Sequence, residues 1–99
     1  MLRKAASRSG RAVAATCGGM VVVGPNCLGY VNYVDNVCLT FGGADPFKPE
    51  GPAVAILSQS GAMASVIRAA LNARGMAVAL TVSTGNEAGL ESTDFLEFL

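Results

Sequence analysis

Hydrophobic and polar positions along this chain change period in a fixed order. Residues 53–57, AVAIL, form a short apolar run without alternation, the pattern of a strand covered on both faces. The polar turn Ser58, Gln59, Ser60, Gly61 follows at once. Met63, Val66, Ile67, Ala70 and Leu71 then recur at the spacing of one helix face, with Arg68, Asn72 and Arg74 off it, and Gly75 stands where a helix C′ residue belongs. Residues 76–82 are apolar again and predict a second buried strand. Strand, helix and strand with short connections make a βαβ unit whose strands are parallel. The loop Ser83, Thr84, Gly85, Asn86, Glu87 then falls at the same sheet end as the turn at residues 58–61, so the two polar loops face one crevice.

Upstream the pattern is more broken. Residues 2–16, rich in Ala and Arg, predict a helix weakened by Ser7, Ser9 and Gly10 and ended by Cys17, Gly18 and Gly19. Residues 20–23 predict a buried strand, which Gly24, Pro25 and Asn26 stop because proline donates no ladder bond. That order matches the last αβ step of a doubly wound sheet, where ligands gather beyond the strand ends. Asn26 is accordingly a candidate ligand residue, and a residue holding the turn is the equal alternative. Residues 30–33 and 37–41 flank Val34, Asp35 and Asn36 and predict a hairpin, with Tyr30, Tyr33 and Phe41 as its packing residues. Residues 42–52 hold three prolines and three glycines and read as a linker or long loop. At the far end Ser92 or Thr93 caps a short helix running to Leu99.

Charge and composition narrow the classes. The 99 residues carry no net charge and only scattered basic residues near the start, Arg3, Lys4, Arg8 and Arg11, which argues against a nucleic-acid binder. No apolar run approaches the ~18 residues of a membrane span, and no signal-peptide pattern opens the chain, so a cytoplasmic protein is expected. Cys17, Cys27 and Cys38 are odd in number and form no C-x-x-C pair, which fits reduced thiols and gives no metal site. Histidine is absent, so no Ser-His-Asp or Cys-His nucleophile can form within these residues. The turn at residues 58–61 also lacks the glycines of a hydrolase elbow.

What remains is a helix start suited to an anion. The first turn of a helix has unpaired amides and about half a positive charge, and no acidic side chain stands in this one. Ser58 and Ser60 can cap, Gly61 lets a ligand approach the backbone, and Ala62 adds no bulk. Ser60 acting only as an N-cap is the other reading. Two parallel strands and one full helix cannot cover both sheet faces, so the chain reads as the tail of one α/β domain, a linker and the head of another. Such a piece is expected to unfold with poor cooperativity.

Taken together, Gly24-Pro25-Asn26-Cys27-Leu28-Gly29, Ile56-Leu57-Ser58-Gln59-Ser60-Gly61-Ala62 and Val82-Ser83-Thr84-Gly85-Asn86-Glu87 resemble, in order and spacing, the nucleoside-diphosphate-forming acyl-CoA synthetases. These include ADP-forming acetate:CoA ligases and the α subunit of succinyl-CoA synthetase. The resemblance implies an α/β fold in which residues 1–45 end a Rossmann-like CoA-binding domain, 46–52 link, and 53–99 begin a flavodoxin-like parallel-sheet ligase domain. It implies acyl-CoA formation from a small carboxylic acid, CoA and ATP through an acyl phosphate and a phosphohistidine. Gly24, Pro25, Asn26 and Cys27 would lie near CoA, with Cys27 structural or lining the thiol channel. Ser58, Gln59, Ser60, Gly61 and Ala62 would receive phosphate, and Gly85, Asn86 and Glu87 would border that pocket. The phosphorylated histidine, the Gly-rich CoA loop, and the ATP-grasp module with ATP or ADP and Mg would come from other domains or a β-type subunit. By itself this chain is expected not to turn over. Ser65 stands where succinyl-CoA synthetase has tyrosine, a departure that bears on succinate as substrate. The rival expectations are a non-catalytic CoA- or anion-binding module and a degenerate fragment.

Overall fold

The computed structural model describes Gly18, residues 21–40 and residues 49–99. The helix expected over residues 2–16 and most of the loop expected over residues 42–52 lie outside the described residues. The elements are β1 (Gly29–Asn32), β2 (Val37–Thr40), β3 (Ala53–Ser58), helix α1 (Gly61–Ala73), β4 (Ala77–Ser83) and helix α2 (Ser92–Phe98). They form one four-stranded sheet in the order β2-β1-β4-β3.

The βαβ unit is present as the apolar runs predict. β3 and β4 pair in parallel from Ala53 opposite Ala77 to Ser58 opposite Ser83, with an irregularity between Val54 and Ala55. The hairpin also forms, and its turn is held by Asn32, whose Oδ1 accepts from the Val34 and Asp35 amides at 3.0 Å each. Asn36 takes a left-handed φ of 56° in that turn. The pattern did not foretell where the hairpin goes: β1 runs antiparallel to β4, Gly29 opposite Ser83 and Asn32 opposite Leu80. The sheet is therefore mixed, and the flank of β4 that sequence left open is covered by the hairpin.

Three further expectations change. Residues 21–23 form no regular strand: Val22 O and, just beyond, Gly24 O pair with an irregular segment, accepting from Leu90 N at 3.1 Å and from Ala88 N at 2.8 Å. Helix α2 is capped by Glu91 rather than by Ser92 or Thr93, since the Asp94 carboxylate reaches back to the Glu91 amide at 2.7 Å and completes a capping box. Helix α1 also turns a different face inward. Ala64 is its buried residue, with Leu71 packed against the same core of Val31, Tyr33, Ile56 and Val78. Met63, Val66 and Ile67 stay 54%, 63% and 38% exposed. Nearly every position of this helix is apolar or small, so periodicity marks a stripe but does not choose the contact; Ala64 lets the helix sit close to the sheet. A Schellman pair closes it, Gly75 N to Asn72 O and Met76 N to Leu71 O, both at 3.0 Å.

This packing makes a comparative prediction. Ile56→Ala should cost about 2–4 kcal/mol, whereas Val66→Ala on the uncovered helix face should stay within about 0.5 kcal/mol. The shift of the urea unfolding midpoint of each variant checks both.

Candidate functional site

At the carboxyl ends of β3 and β4 the backbone stitches three loops together. Thr84 N donates to Ser58 O and Gly85 N to Gln59 O, both at 3.0 Å, which joins the turn before α1 to the loop after β4. Asn86 N donates to Pro25 O at 2.8 Å and Ala88 N to Gly24 O at 2.8 Å, which joins that loop to the Gly24-Pro25 turn. The Gly24–Pro25 peptide is cis and Asn26 has a φ of 56°, so Asn26 does hold the turn, while it also lines the cavity. Leu28 N is bound by Ser83 Oγ at 3.2 Å at the entry to β1.

These bonds enclose a crevice of about 490 Å³ lined by Asn26, Cys27, Leu28, Gln59, Ser60, Gly61, Ala62, Gly85 and Asn86. Three stretches singled out in the sequence thus meet at one place. Of the other site residues expected from sequence, Gly24 and Pro25 serve through their carbonyls, Ser58 through its backbone and its hydroxyl, and Glu87 stands behind the wall. Leu28 and Thr84 were not singled out for the site. Leu28 forms part of the wall and Thr84 holds Glu87, and both roles follow from tertiary contacts that no local pattern signals.

Two glycines make the crevice possible. A Cβ on Gly61 would run into the Leu28 side chain, with Cδ1 only 2.6 Å away. Gly85 has a left-handed φ of 62°, and a Cβ there would strike the Pro25 carbonyl and lie 2.6 Å from the Asn26 carbonyl. At the helix start Ser60 is the N-cap and its Oγ accepts from Met63 N at 3.2 Å. Ser58 Oγ accepts from the Ser60 amide at 3.1 Å. The Gly61 and Ala62 amides belong to the first turn, have no intrahelical acceptor, and border the cavity. No acidic residue lies in that turn, and among the described residues lining the crevice none is Lys or Arg. Among the described residues, what this crevice offers an anion is amides and the helix dipole rather than side-chain cations.

Glu87 supplies the charge behind the wall. Its Oε2 accepts from Gln59 Nε2 at 2.7 Å, and its Oε1 from Thr84 Oγ1 at 2.9 Å, from Ser92 N at 3.1 Å and from Ser92 Oγ. Burial by itself raises the carboxyl, but the bonds from Ser92, Thr84 and Gln59 outweigh it and lower the pKa from 4.5 to about 2. Glu87 is therefore ionised at neutral pH and ties the turn before α1 to the start of α2.

Residues 50–99 match the succinyl-CoA ligase like flavodoxin domain. The chain belongs to that family. It is similar to a trans-feruloyl-CoA synthase from an unknown prokaryotic organism, 52% identical over 83 residues that cover 82% of this chain and 12% of that one. It is also similar to an ADP-forming acetate–CoA ligase of Archaeoglobus fulgidus, 40% identical over 81 residues, 82% of this chain and 11% of the other. Among solved structures, a dinucleotide-forming acetyl-coenzyme A synthetase of Ca. Korarchaeum cryptofilum superposes with a TM-score of 0.70 at 34% identity, covering 85% of this chain and 18% of its own. The same enzyme is also known in complex with phosphate and ADP, with the same similarity. The α/β, flavodoxin-like fold expected from sequence is thus shown, and the chain spans about a tenth of the length of the curated relatives it matches. Among the described residues no helix is long and apolar enough to cross a membrane.

Two outcomes follow for the site. Gly85→Ala should cost about 1–3 kcal/mol, through its left-handed backbone and the crowding of the carbonyls behind it, and should broaden the amide signals of Asn26 and Asn86 in NMR spectra. For Glu87 the folded pKa is depressed, so its contribution to stability is complete above the unfolded value and is lost as pH falls toward the folded one. Glu87→Gln should be less stable than wild type at neutral pH, and the gap should close between about pH 5 and pH 2, as read by urea midpoints at each pH.

Proposed function

We propose that this chain is the segment of an ADP-forming acyl-CoA synthetase that brings its CoA-proximal turn and its phosphate-receiving helix start to one crevice. The observation that carries this reading is the meeting of the three motif loops around the Gly61 and Ala62 amides. The reaction is carboxylic acid, CoA and ATP giving acyl-CoA, ADP and phosphate, through an acyl phosphate and a phosphohistidine supplied from outside these residues.

In this reading the first-turn amides and the Ser60 cap hold the phosphoryl oxygens, because charge on a transferring phosphoryl group is stabilised by fixed donors in a site that needs no reorganisation. Gly24, Pro25, Asn26 and Cys27 border the path of the CoA arm, and Cys27, whose Sγ lies 3.8 Å from Val23 O, lines it rather than attacking. Gly85 and Asn86 close the far wall. Of the expected division into residues 1–45, 46–52 and 53–99, the turn at residues 24–27 belongs to the CoA-binding side and residues 53–99 to the ligase side, while the hairpin of β1 and β2 shares the ligase side's sheet. The ATP-grasp module, with nucleotide and Mg, acts from another domain or subunit.

The test is acid-dependent ADP release by the full-length protein containing this segment, with acetate and ferulate as the first acids. Gly61→Val, which drives Leu28 off the helix start, should lower kcat by about 10²-fold while circular dichroism stays unchanged. A full-length protein that neither binds CoA nor forms ADP with any acid would instead support a non-catalytic binding module.

A further inference from the structure

A second cavity, of about 540 Å³, opens where α1 ends and β4 begins, at the end of β4 opposite the crevice. It is lined by Arg68, whose guanidinium carbon lies 6.0 Å from the centre of the Tyr33 ring, and by the exposed Glu50. Among the described residues neither charge has an ion-pair partner, so the two share the cavity without meeting each other. The buried Tyr33 ring holds the guanidinium by a cation–π contact, yet that contact gives its N–H donors no acceptor. Arg74 differs, since its Nη1 donates to Ala70 O at 3.0 Å. Asn72 adds an exposed amide to the lining, and Tyr33, Met76 and Val78 supply apolar wall.

We propose that this cavity is a binding site for an apolar α-amino acid, with the carboxylate on Arg68, the ammonium toward Glu50 and the side chain against Met76 and Val78. A guanidinium offers a planar fork of donors that matches a carboxylate, and such charge-assisted bonds are the strong ones. A simple anion would meet Glu50 as a like charge, and a simple cation would meet Arg68. A ligand bearing both charges satisfies each. The apolar wall then favours a side chain without a third charge. The volume falls within the range of small-molecule sites, roughly 300–1,000 Å³. The cavity shares no lining residue with the crevice, so its occupancy does not depend on what the crevice binds.

Isothermal titration calorimetry of the full-length protein containing this segment, with L-leucine as the probe, tests the proposal. L-Leucinamide lacks the carboxylate and N-acetyl-L-leucine lacks the ammonium. Each should bind about tenfold more weakly than leucine, the loss of one charge-assisted hydrogen bond. Arg68→Met keeps an unbranched stem beside Tyr33 without the guanidinium, and should weaken leucine by about tenfold while circular dichroism stays unchanged. Glu50→Gln should weaken leucine by about the same factor and leave N-acetyl-L-leucine unaffected. Glu50 is exposed, so this variant decides the point should Arg68→Met fail to fold. Absence of leucine binding at millimolar concentration, an analogue that binds as well as leucine, or a leucine affinity that either substitution leaves unchanged overturns the proposal. None of these outcomes bears on ADP formation at the crevice, and a protein that forms no ADP leaves the leucine titration to be read in the same way.

Discussion

The site depends on a set of main-chain hydrogen bonds that no side chain could replace. Ser58 and Gln59 accept from Thr84 and Gly85, and Gly24 and Pro25 accept from Ala88 and Asn86, so the loop after β4 is bonded along both of its sides. A buried or half-buried loop must find partners for its amides, and here those of Thr84, Gly85, Asn86 and Ala88 find them on the other loops of the same crevice. The outcome is a cavity whose walls are fixed by backbone, with Gly85 as the point where two chains pass too closely for a Cβ. Glu87 adds the side-chain counterpart. It joins Gln59 on one loop to Ser92 at the start of α2, so the crevice and the last helix are held by one carboxylate.

Local pattern revealed much of this and stopped at identifiable places. The βαβ unit was legible because residues 53–57 and 76–82 are short unbroken apolar runs around a helical period. The hairpin was legible because Asp35 and Asn36 suit its turn, but its antiparallel seat on β4 is a long-range pairing that local pattern does not encode. Residues 21–23 have the composition of a strand and have no strand to pair with among the described residues. Helix α1 shows the limit of the hydrophobic stripe: where Ala64 can approach the sheet closely, larger apolar neighbours such as Val66 are left outside.

The candidate site was legible for a different reason. Gly24 to Cys27, Ser58 to Ala62 and Gly85 to Glu87 all sit where a strand or a strand-like run ends, and strand ends on one edge of a parallel unit converge whatever the side chains do. Positions could be read from that rule. The division of labour among them could not, since it turns on contacts across loops: Leu28 against Gly61, and Thr84 and Ser92 on Glu87.

Those contacts also bear on how the proposed anion site would work without a cation among the described residues that line it. Glu87 carries a full negative charge behind the crevice wall, yet its oxygens are taken up by Gln59, Thr84 and Ser92, which spreads that charge into a polar network. In the proposed reading the first-turn amides, with no acidic residue in their own turn, supply the positive field that a ligand meets. Amides and a dipole give direction to a phosphoryl group without the deep, undirected well that a lysine ammonium would provide for any free anion. For the proposed transfer of a phosphoryl group from one carrier to another, weak ground-state holding with fixed geometry is the more effective arrangement, because tight holding of the resting anion would raise the barrier to its departure.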